Sequence, residues 1–489
     1  MAKGRVLVIA GSDSSGGAGL EADQKVISAH GCYAMTATTA LTAQNTLGVV
    51  DIHHTPPEFV RKLIDACISD IGVDVVKTGM LASAETIKVV ANALEYHHVM
   101  TTVIDPVMVS TSGSQLLPQN AIRELREDLL PRTTILTPNV PEAKLLLSDA
   151  GIAPTDPQDI EDLVKIAKDV QGLGPRYVLL KGGHLPLRKN GSIAKTADER
   201  ELMVDILYGD EKVTRIETAY LNSKNTHGTG CSLASAIASN LANGLAMVEA
   251  VKRACRYVEA GIKTSTDLGQ GSGPINHFHS TYTLPFSPDR FIEYVLEHSD
   301  VKPAWRKHTE HDFVSGLADG TLPVESFKFY LIQDYLFLIQ FARANALAAY
   351  KAKTMEDISA SAKIVAHIHQ EMALHIDYCK GFGITKEEIV STEESQDMYS
   401  TLVNPKTGSH CKLHADPDTK REGNKYWKWI ENYVADDYAE AVKIGRALLE
   451  RNAILQSPSR IEELVQIFVH ATNMETGFWT MGAGAGESI

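Results

Sequence analysis

Through the first part of the chain, short apolar runs alternate with stretches of helical period. Arg5–Ala10 (RVLVIA), Val73–Gly79, Thr101–Val107, Thr133–Asn139 and Tyr177–Gly183 are β-rich and end at Gly, Pro, Asp or Asn. Segments such as EADQKVISAHG and PPEFVRKLIDACIS, between them, carry apolar residues three and four apart. This alternation predicts an α/β unit, a parallel sheet with helices on both faces. Ligands of such sheets bind past the carboxyl ends of the strands. The second part reads helical almost throughout, from PVESFKFYLIQDYLFLIQFARANALAAYKA to PSRIEELVQIFVHATNMETGFWTMG, which predicts a helix bundle.

Composition divides the chain at the same place. Of 35 glycines, 24 precede residue 288, whereas all four tryptophans (Trp305, Trp427, Trp429, Trp479) follow it. Two unlike domains are expected, 1–288 and 289–489, joined near His279–Arg290, where two prolines interrupt regular structure. A net charge of -14 disfavours nucleic acid or an anionic membrane as partner. Six widely spaced cysteines, with no C-x-x-C pair, suit reduced thiols in the cytoplasm. VLVIA near the N-terminus is too short for a signal segment, and no run is long enough to span a bilayer.

The candidate chemistry sits at predicted strand ends. In NTHGTGCSLASAIASNLA, Gly228 and Gly230 let the backbone turn tightly before a helix beginning near Ser232. Free amides and the helix dipole there make an anion site, with Cys231 at its mouth, where the dipole favours a thiolate able to take a proton. Alone, GTGC reads rather as a Gly-rich turn with a small buried cysteine at the helix start. It has company in a second glycine-rich loop, GSDSSGGAG, and in DPVM, TPNVPEA and LKGGH. No G-x-x-x-x-G-K-[ST] sequence occurs, so a Walker-type site is excluded.

These stretches, with EADQK, TALTAQNT, KTGML, DPVMVSTSG and GSGPINH, occur in order over residues 1 to about 288. That region resembles the ribokinase-like superfamily and, more closely, the hydroxymethylpyrimidine kinase / phosphomethylpyrimidine kinase family of thiamine synthesis. The resemblance implies two ATP-dependent transfers: to the hydroxymethyl group of 4-amino-5-hydroxymethyl-2-methylpyrimidine, then to the resulting monophosphate. It places Asp23, Gln44, Met80 and Val107 around the pyrimidine. It makes Gly228, Thr229 and Gly230 the anion hole and Cys231 the base. Lys181, Asn139 and Thr226 fall to the nucleotide, and Asp105 and Glu142, with Asn139, to Mg²⁺ and its waters. A pyridoxal kinase is the nearest alternative. Small-molecule substrates and a homo-oligomer are expected.

From about residue 290 the chain resembles the TenA family, the thiaminase II or aminopyrimidine aminohydrolase bundle. FVSGLADGTLPVESFKFYLIQDYLFL, HQEMALH, YWKWIENYVADDY and NMETGFWTM carry the likeness. It implies Asp334 on the pyrimidine amino group, Phe337 as aromatic wall, Tyr433 as catalytic tyrosine and Glu475 as acid/base. The family's nucleophile stands in a Pro-Cys helix, and the interval Ile384–Asn424 holds none. Cys411 lies in a polar stretch and Cys379 belongs to the preceding helix. The bundle is therefore expected to be incomplete and its hydrolase reaction lost, leaving apolar faces exposed or covered by oligomeric contacts. His367, His369 and His375 lack a carboxylate set for a metal and read as core or surface histidines.

Overall fold

The computed structural model describes residues 4–108, 117–183, 185–392 and 413–484. The chain divides into two compact units, Met1–Thr281 and Tyr282–Ile489. Among the described residues, no helix is long and apolar enough to cross a membrane.

The first unit is built on an eight-stranded sheet. Its parallel part holds β1 (Arg5–Ala10), β2 (Tyr33–Thr38), β5 (Val75–Thr78), β6 (Thr102–Ile104), β7 (Ile135–Leu136) and β8 (Tyr177–Leu180). The antiparallel hairpin β9 (Leu202–Gly209) and β10 (Lys212–Ala219) extends one edge, giving the order β10-β9-β8-β7-β6-β5-β1-β2. β3 (Ala40–Asn45) and β4 (Gly48–His54) form a separate hairpin. Five of the six residues of β1, and all of β5 and β6, are buried, as parallel strands covered on both faces must be.

Apolar residues cover each face. Ile87, Val90, Leu146 and Ile166 belong to one core cluster, Val26, Ile27, Ala234 and Ile237 to the other. The second cluster engages α1 (Gly19–Ala29) and α7 (Thr229–Ala242). α7 is rich in Ala and Ser, and that lets it lie close to the sheet: Ser232 through Asn240 are all buried.

The second unit is all helical in its described elements. Val324–Lys351 and Met355–Gly381 are its longest antiparallel neighbours, with Trp427–Asn432, Asp436–Ala453 and Pro458–Gly484 following. Its aromatic core joins Phe313, Phe327, Tyr330, Tyr426, Trp429 and Trp479. Within Ile384–Asn424 lies a short helix, Lys386–Ser391, with a Thr385/Glu388 capping box. Cys411 lies outside the described residues. Leu347, Tyr350, Met355 and Leu455 are exposed on the unit's helices and turns.

Candidate active site

The loop between β1 and α1 is folded around one carboxylate. Asp13 accepts hydrogen bonds from the Ser15 amide (2.9 Å) and hydroxyl (2.7 Å), the Ala18 amide (2.8 Å) and His227 Nε2 (2.8 Å). Burial pushes Asp13 up, but these donors win and hold it down to about 2. A carboxyl lowered by folding stabilises the native state above its unfolded value of 3.8, and loses that contribution as pH falls through about 2. Between about pH 4 and pH 2 the first unit should therefore lose stability, and Asp13→Asn should flatten that loss in acid titrations followed by tryptophan-independent circular dichroism.

Helix α7 begins three residues before the expected Ser232. Its N-cap is Gly228, in the left-handed conformation at φ 77°. This places Gly230 and Cys231 in the first turn, where amides have no carbonyl four residues back. The Thr229 amide is turned back to the Thr226 carbonyl (3.3 Å), which also accepts from the Thr229 hydroxyl (3.0 Å). Thr226 thus closes the turn, and Gly230 and Cys231 offer the open amides. A Cβ at Gly230 would come within 3.4 Å of Lys181 Nζ and 3.6 Å of Asp105 Oδ2, so this turn faces both charged groups.

The expected Cys231 thiolate needs correction. Burial pushes its thiol up to about 11; Lys77 pulls down while Asp23 and Asp105 push up, and the Gly19 amide donates to the sulfur. The helix dipole does not overcome desolvation plus two nearby carboxylates. Cys231 is a neutral thiol at pH 7.

Lys181, just past β8, donates to Asp105 Oδ1 (2.8 Å) and stands 4.0 Å from Glu142 Oε2. The Thr137 hydroxyl also bonds Asp105 (3.1 Å). Asn139 and Glu142 form a capping box on α5 (Val140–Asp149): each side chain accepts the other's amide at 2.8 Å. Burial, with Asp105 nearby, pushes Glu142 up to about 7 against the pull of Lys181. Two buried carboxylates that repel each other suit a hydrated divalent cation arriving with phosphate oxygens. The same observations show Asn139 satisfying its helix rather than reaching out alone. Asp205, which the sequence reading did not single out, accepts from the Gly182 amide (2.8 Å) and lies 3.6 Å from the Cys255 sulfur. Burial raises its pKa.

The residues expected at the ring share the cavity with these groups. A bulge between Ala43 and Gln44 re-aims Gln44, and Ser14 clamps its backbone with bonds of 2.9 and 2.7 Å. Met80 is held by its carbonyl to the Thr39 hydroxyl (2.6 Å). A Cβ on Gly11 would lie 2.3 Å from the Met80 methyl, so a larger residue there would push the end of that side chain aside. Val107 packs beside Met80 and Ala40. Gly11, Gln44, Met80 and Val107 line one cavity of about 630 Å³ with Asp105, Glu142, Lys181 and the first turn of α7, past the carboxyl ends of the parallel strands. Every residue expected at this site lines it except Asp23. Asp23 is fully buried in an ion pair with Lys77 Nζ (2.9 and 2.8 Å to its two oxygens) and accepts from Ser235 (2.7 Å). A carboxylate so enclosed keeps its charge by pairing, and the pair is structural support behind Cys231. Asp13 and His227 line the cavity and were missed, although both lie inside the quoted motifs.

In the helical unit, Asp334 Oδ2 is bonded to His375 Nε2 (2.9 Å) and to the Tyr330 hydroxyl (3.2 Å). Tyr433 and Glu475 both act on Tyr330, which brings three of the four expected residues around that ring. Phe337 stacks on Phe341, centroids 5.7 Å apart. The cavity beside them, lined by Glu371, His375, Trp429 and Tyr433, holds about 30 Å³. That admits about one water and no pyrimidine. Cys379 is fully buried, its thiol pushed up to about 11. Among the described residues, no three His, Cys, Asp or Glu side chains cluster as a metal site.

One cavity thus gathers an open helix N-terminus, a lysine, a side-chain amide and an apolar wall. Residues 13–276 match the phosphomethylpyrimidine kinase family model, and residues 298–403 and 402–485 match the TENA/THI-4/PQQC family. The chain is 40% identical to a Schizosaccharomyces pombe protein named "Putative hydroxymethylpyrimidine/phosphomethylpyrimidine kinase 2", over 97% of this chain and 90% of that one. A hydroxymethylpyrimidine/phosphomethylpyrimidine kinase of Saccharomyces cerevisiae is 33% identical over 97% and 94%. The solved ADP complex of Bacillus subtilis pyridoxal kinase is 33% identical, with a TM-score of 0.49, covering 56% of this chain and 97% of that one. The chain belongs to the phosphomethylpyrimidine kinase family, and carries a TENA/THI-4/PQQC region after the kinase region.

Proposed function

We propose that residues 1–288 phosphorylate 4-amino-5-hydroxymethyl-2-methylpyrimidine with ATP, then phosphorylate the monophosphate to the diphosphate, in thiamine biosynthesis and salvage. The observation that carries this is the single cavity joining Gln44, Met80 and Val107 to the open first turn of α7. Gln44 and the apolar wall hold the ring; the ring's substituent faces the amides of Gly230 and Cys231. Those amides and Lys181 stabilise the charge that spreads over the transferring group. Asp105 and Glu142 are the residues that would hold Mg²⁺, which when bound supplies charge neutralisation along the phosphate chain. Cys231 would take the proton of the attacking oxygen only in its thiolate form, and a loose transfer asks for that deprotonation late.

The partners are small-molecule pyrimidines, with neither nucleic acid nor membrane, and the acidic chain acts in the cytoplasm as a homo-oligomer. ADP release should be measured with the hydroxymethylpyrimidine, its monophosphate and pyridoxal as acceptors. Turnover of the first two is expected. Turnover of pyridoxal alone would assign the site to a pyridoxal kinase.

Residues 289–489 form the TenA-like bundle without its hydrolase reaction. The interval Ile384–Asn424, which holds no Pro-Cys sequence, supports this, and so does the cavity lined by Glu371, His375, Trp429 and Tyr433, which is too small for a pyrimidine. The full chain incubated with thiamin should release no hydroxymethylpyrimidine. Release that disappears in Cys411→Ser would overturn it.

A further inference from the structure

We propose that the segment Asp267–Pro274 is a strap that ties the hairpin carrying Gln44 to the turn that opens α7, and so sets where these two parts of the cavity wall stand relative to each other. Its anchors, Thr46 and Asn225, do not line the cavity. They are positioning residues, and their bearing on a pyrimidine rests on the kinase-site reading above.

The hairpin of β3 and β4 stands outside the eight-stranded sheet, and a two-stranded ribbon is marginal by itself. Leu47 and Val50, at and beside its turn, are 63% and 80% exposed, so hydrogen bonds rather than apolar packing hold that end. Thr46, two residues past Gln44, supplies them. Its carbonyl accepts from the Ser272 amide (3.1 Å) and its hydroxyl from the Gly271 amide (3.2 Å). Further along the strap, the Gly273 carbonyl accepts from the amide of His227 (3.1 Å), the residue before the Gly228 cap. Asn225, itself buried, donates from Nδ2 to Asp267 Oδ1 (2.9 Å) and Ser265 Oγ (3.2 Å).

The strap reads LGQGSGP, with a glycine at every second position. A Cβ on Gly269 would lie 2.4 Å from Thr46 Oγ1, one on Gly271 2.1 Å from the Thr46 carbonyl oxygen, and one on Gly273 2.2 Å from Asn225 Oδ1. Each glycine thus meets an anchor at a distance that a side chain permits only if something moves. None of the three lines the cavity, so their closeness to the anchors, and not contact with a ligand, accounts for them. The strap is the shared partner of hairpin and turn. Pushing Thr46 off it lets Gln44 drift from the turn, and loosening Asn225 gives the strap the same slack from its other anchor.

The test is a double-mutant cycle on the full chain, read as calorimetric affinity for 4-amino-5-hydroxymethyl-2-methylpyrimidine. Gly271→Ala, whose Cβ meets backbone, should weaken binding about tenfold or more as Gln44 loses its aim, with affinity for ATP–Mg²⁺ unchanged. Asn225→Ala should weaken it about threefold. The double variant should be no weaker than Gly271→Ala alone, because a hairpin already off the strap no longer feels the strap's other anchor. Thr46→Val should cost about threefold and Thr46→Ser, which keeps the hydroxyl, nothing. Should Asn225→Ala melt early, Asp267→Ala, at the exposed partner of the same bond, takes its place in the cycle. Losses that multiply in full, or a Thr46→Ser chain as weak as Thr46→Val, would overturn the inference, and so would a lowered melting temperature with unchanged affinity. A cycle that fails to multiply, in a chain that transfers no phosphate, keeps the strap and sinks the kinase reading. Losses that multiply in a chain that does transfer phosphate do the reverse.

Discussion

Gly228→Ala is expected to lower kcat/KM for the hydroxymethylpyrimidine by about 10³-fold or more. Two independent constraints meet at this residue. Its φ of 77° lies where side chains are strained, and a Cβ there would sit 1.9 Å from the Gly17 carbonyl oxygen. The obstacle is backbone, so no rotamer change relieves it. Either the turn opens or the β1–α1 loop retreats, and both move the amides of Gly230 and Cys231 off the transferring group. Loss of one such donor costs about 10²–10³ in comparable sites, and here two are displaced together. Steady-state kinetics alongside circular dichroism will separate this from unfolding. A variant that folds and keeps more than a tenth of the wild-type kcat/KM would show that the turn does not bear on transfer.

Lys77→Met should destabilise the first unit by about 3–5 kcal/mol. Lys77 is fully buried, and its ammonium bonds both oxygens of Asp23, which is equally buried. Removing the lysine leaves a carboxylate with only Ser235 to satisfy it. The penalty is desolvated charge rather than lost volume, since methionine nearly fills the same space. The double variant Lys77→Met/Asp23→Leu removes the charge as well and should recover most of the loss. Scanning calorimetry of the full chain, following the transition that nucleotide shifts, reads both. If the double variant is as unstable as the single one, packing and not charge holds this position.

How much of this was legible in the sequence depended on distance along the chain. The buried parallel strands showed themselves because continuous apolar runs such as RVLVIA end in residues that break strands. β2 to β4 did not, because they are exposed in part and alternate weakly, as in GVVDIHH. The hairpin of β9 and β10 turns on Asp210-Glu211, both at positive φ and without the glycine that usually announces such a turn, and it departs from the all-parallel expectation at that edge. Glycines announced the anion turn, but not its start: a left-handed N-cap at Gly228 moved the helix three residues earlier. Motif order located the cavity wall, yet Asp23 shows the limit. It lies 54 residues from the lysine that neutralises it, and nothing local tells a pocket carboxylate from a buried pair. The Asp13–His227 contact spans 214 residues, and only the fold closes that gap. Cys231 was misread in its proton for a related reason: local sequence shows the helix dipole, while burial and facing carboxylates come from other elements.

The central claim is that one cavity performs two successive phosphoryl transfers onto the same pyrimidine. The most direct measurement is a mass-resolved time course of the full chain with the hydroxymethylpyrimidine and ATP–Mg²⁺ labelled at the γ-phosphate. The account predicts a singly labelled monophosphate that rises and then falls as a doubly labelled diphosphate appears, with ADP as the sole nucleotide product. A diphosphate carrying one label, formed with AMP, or a course that stops at the monophosphate, would contradict it.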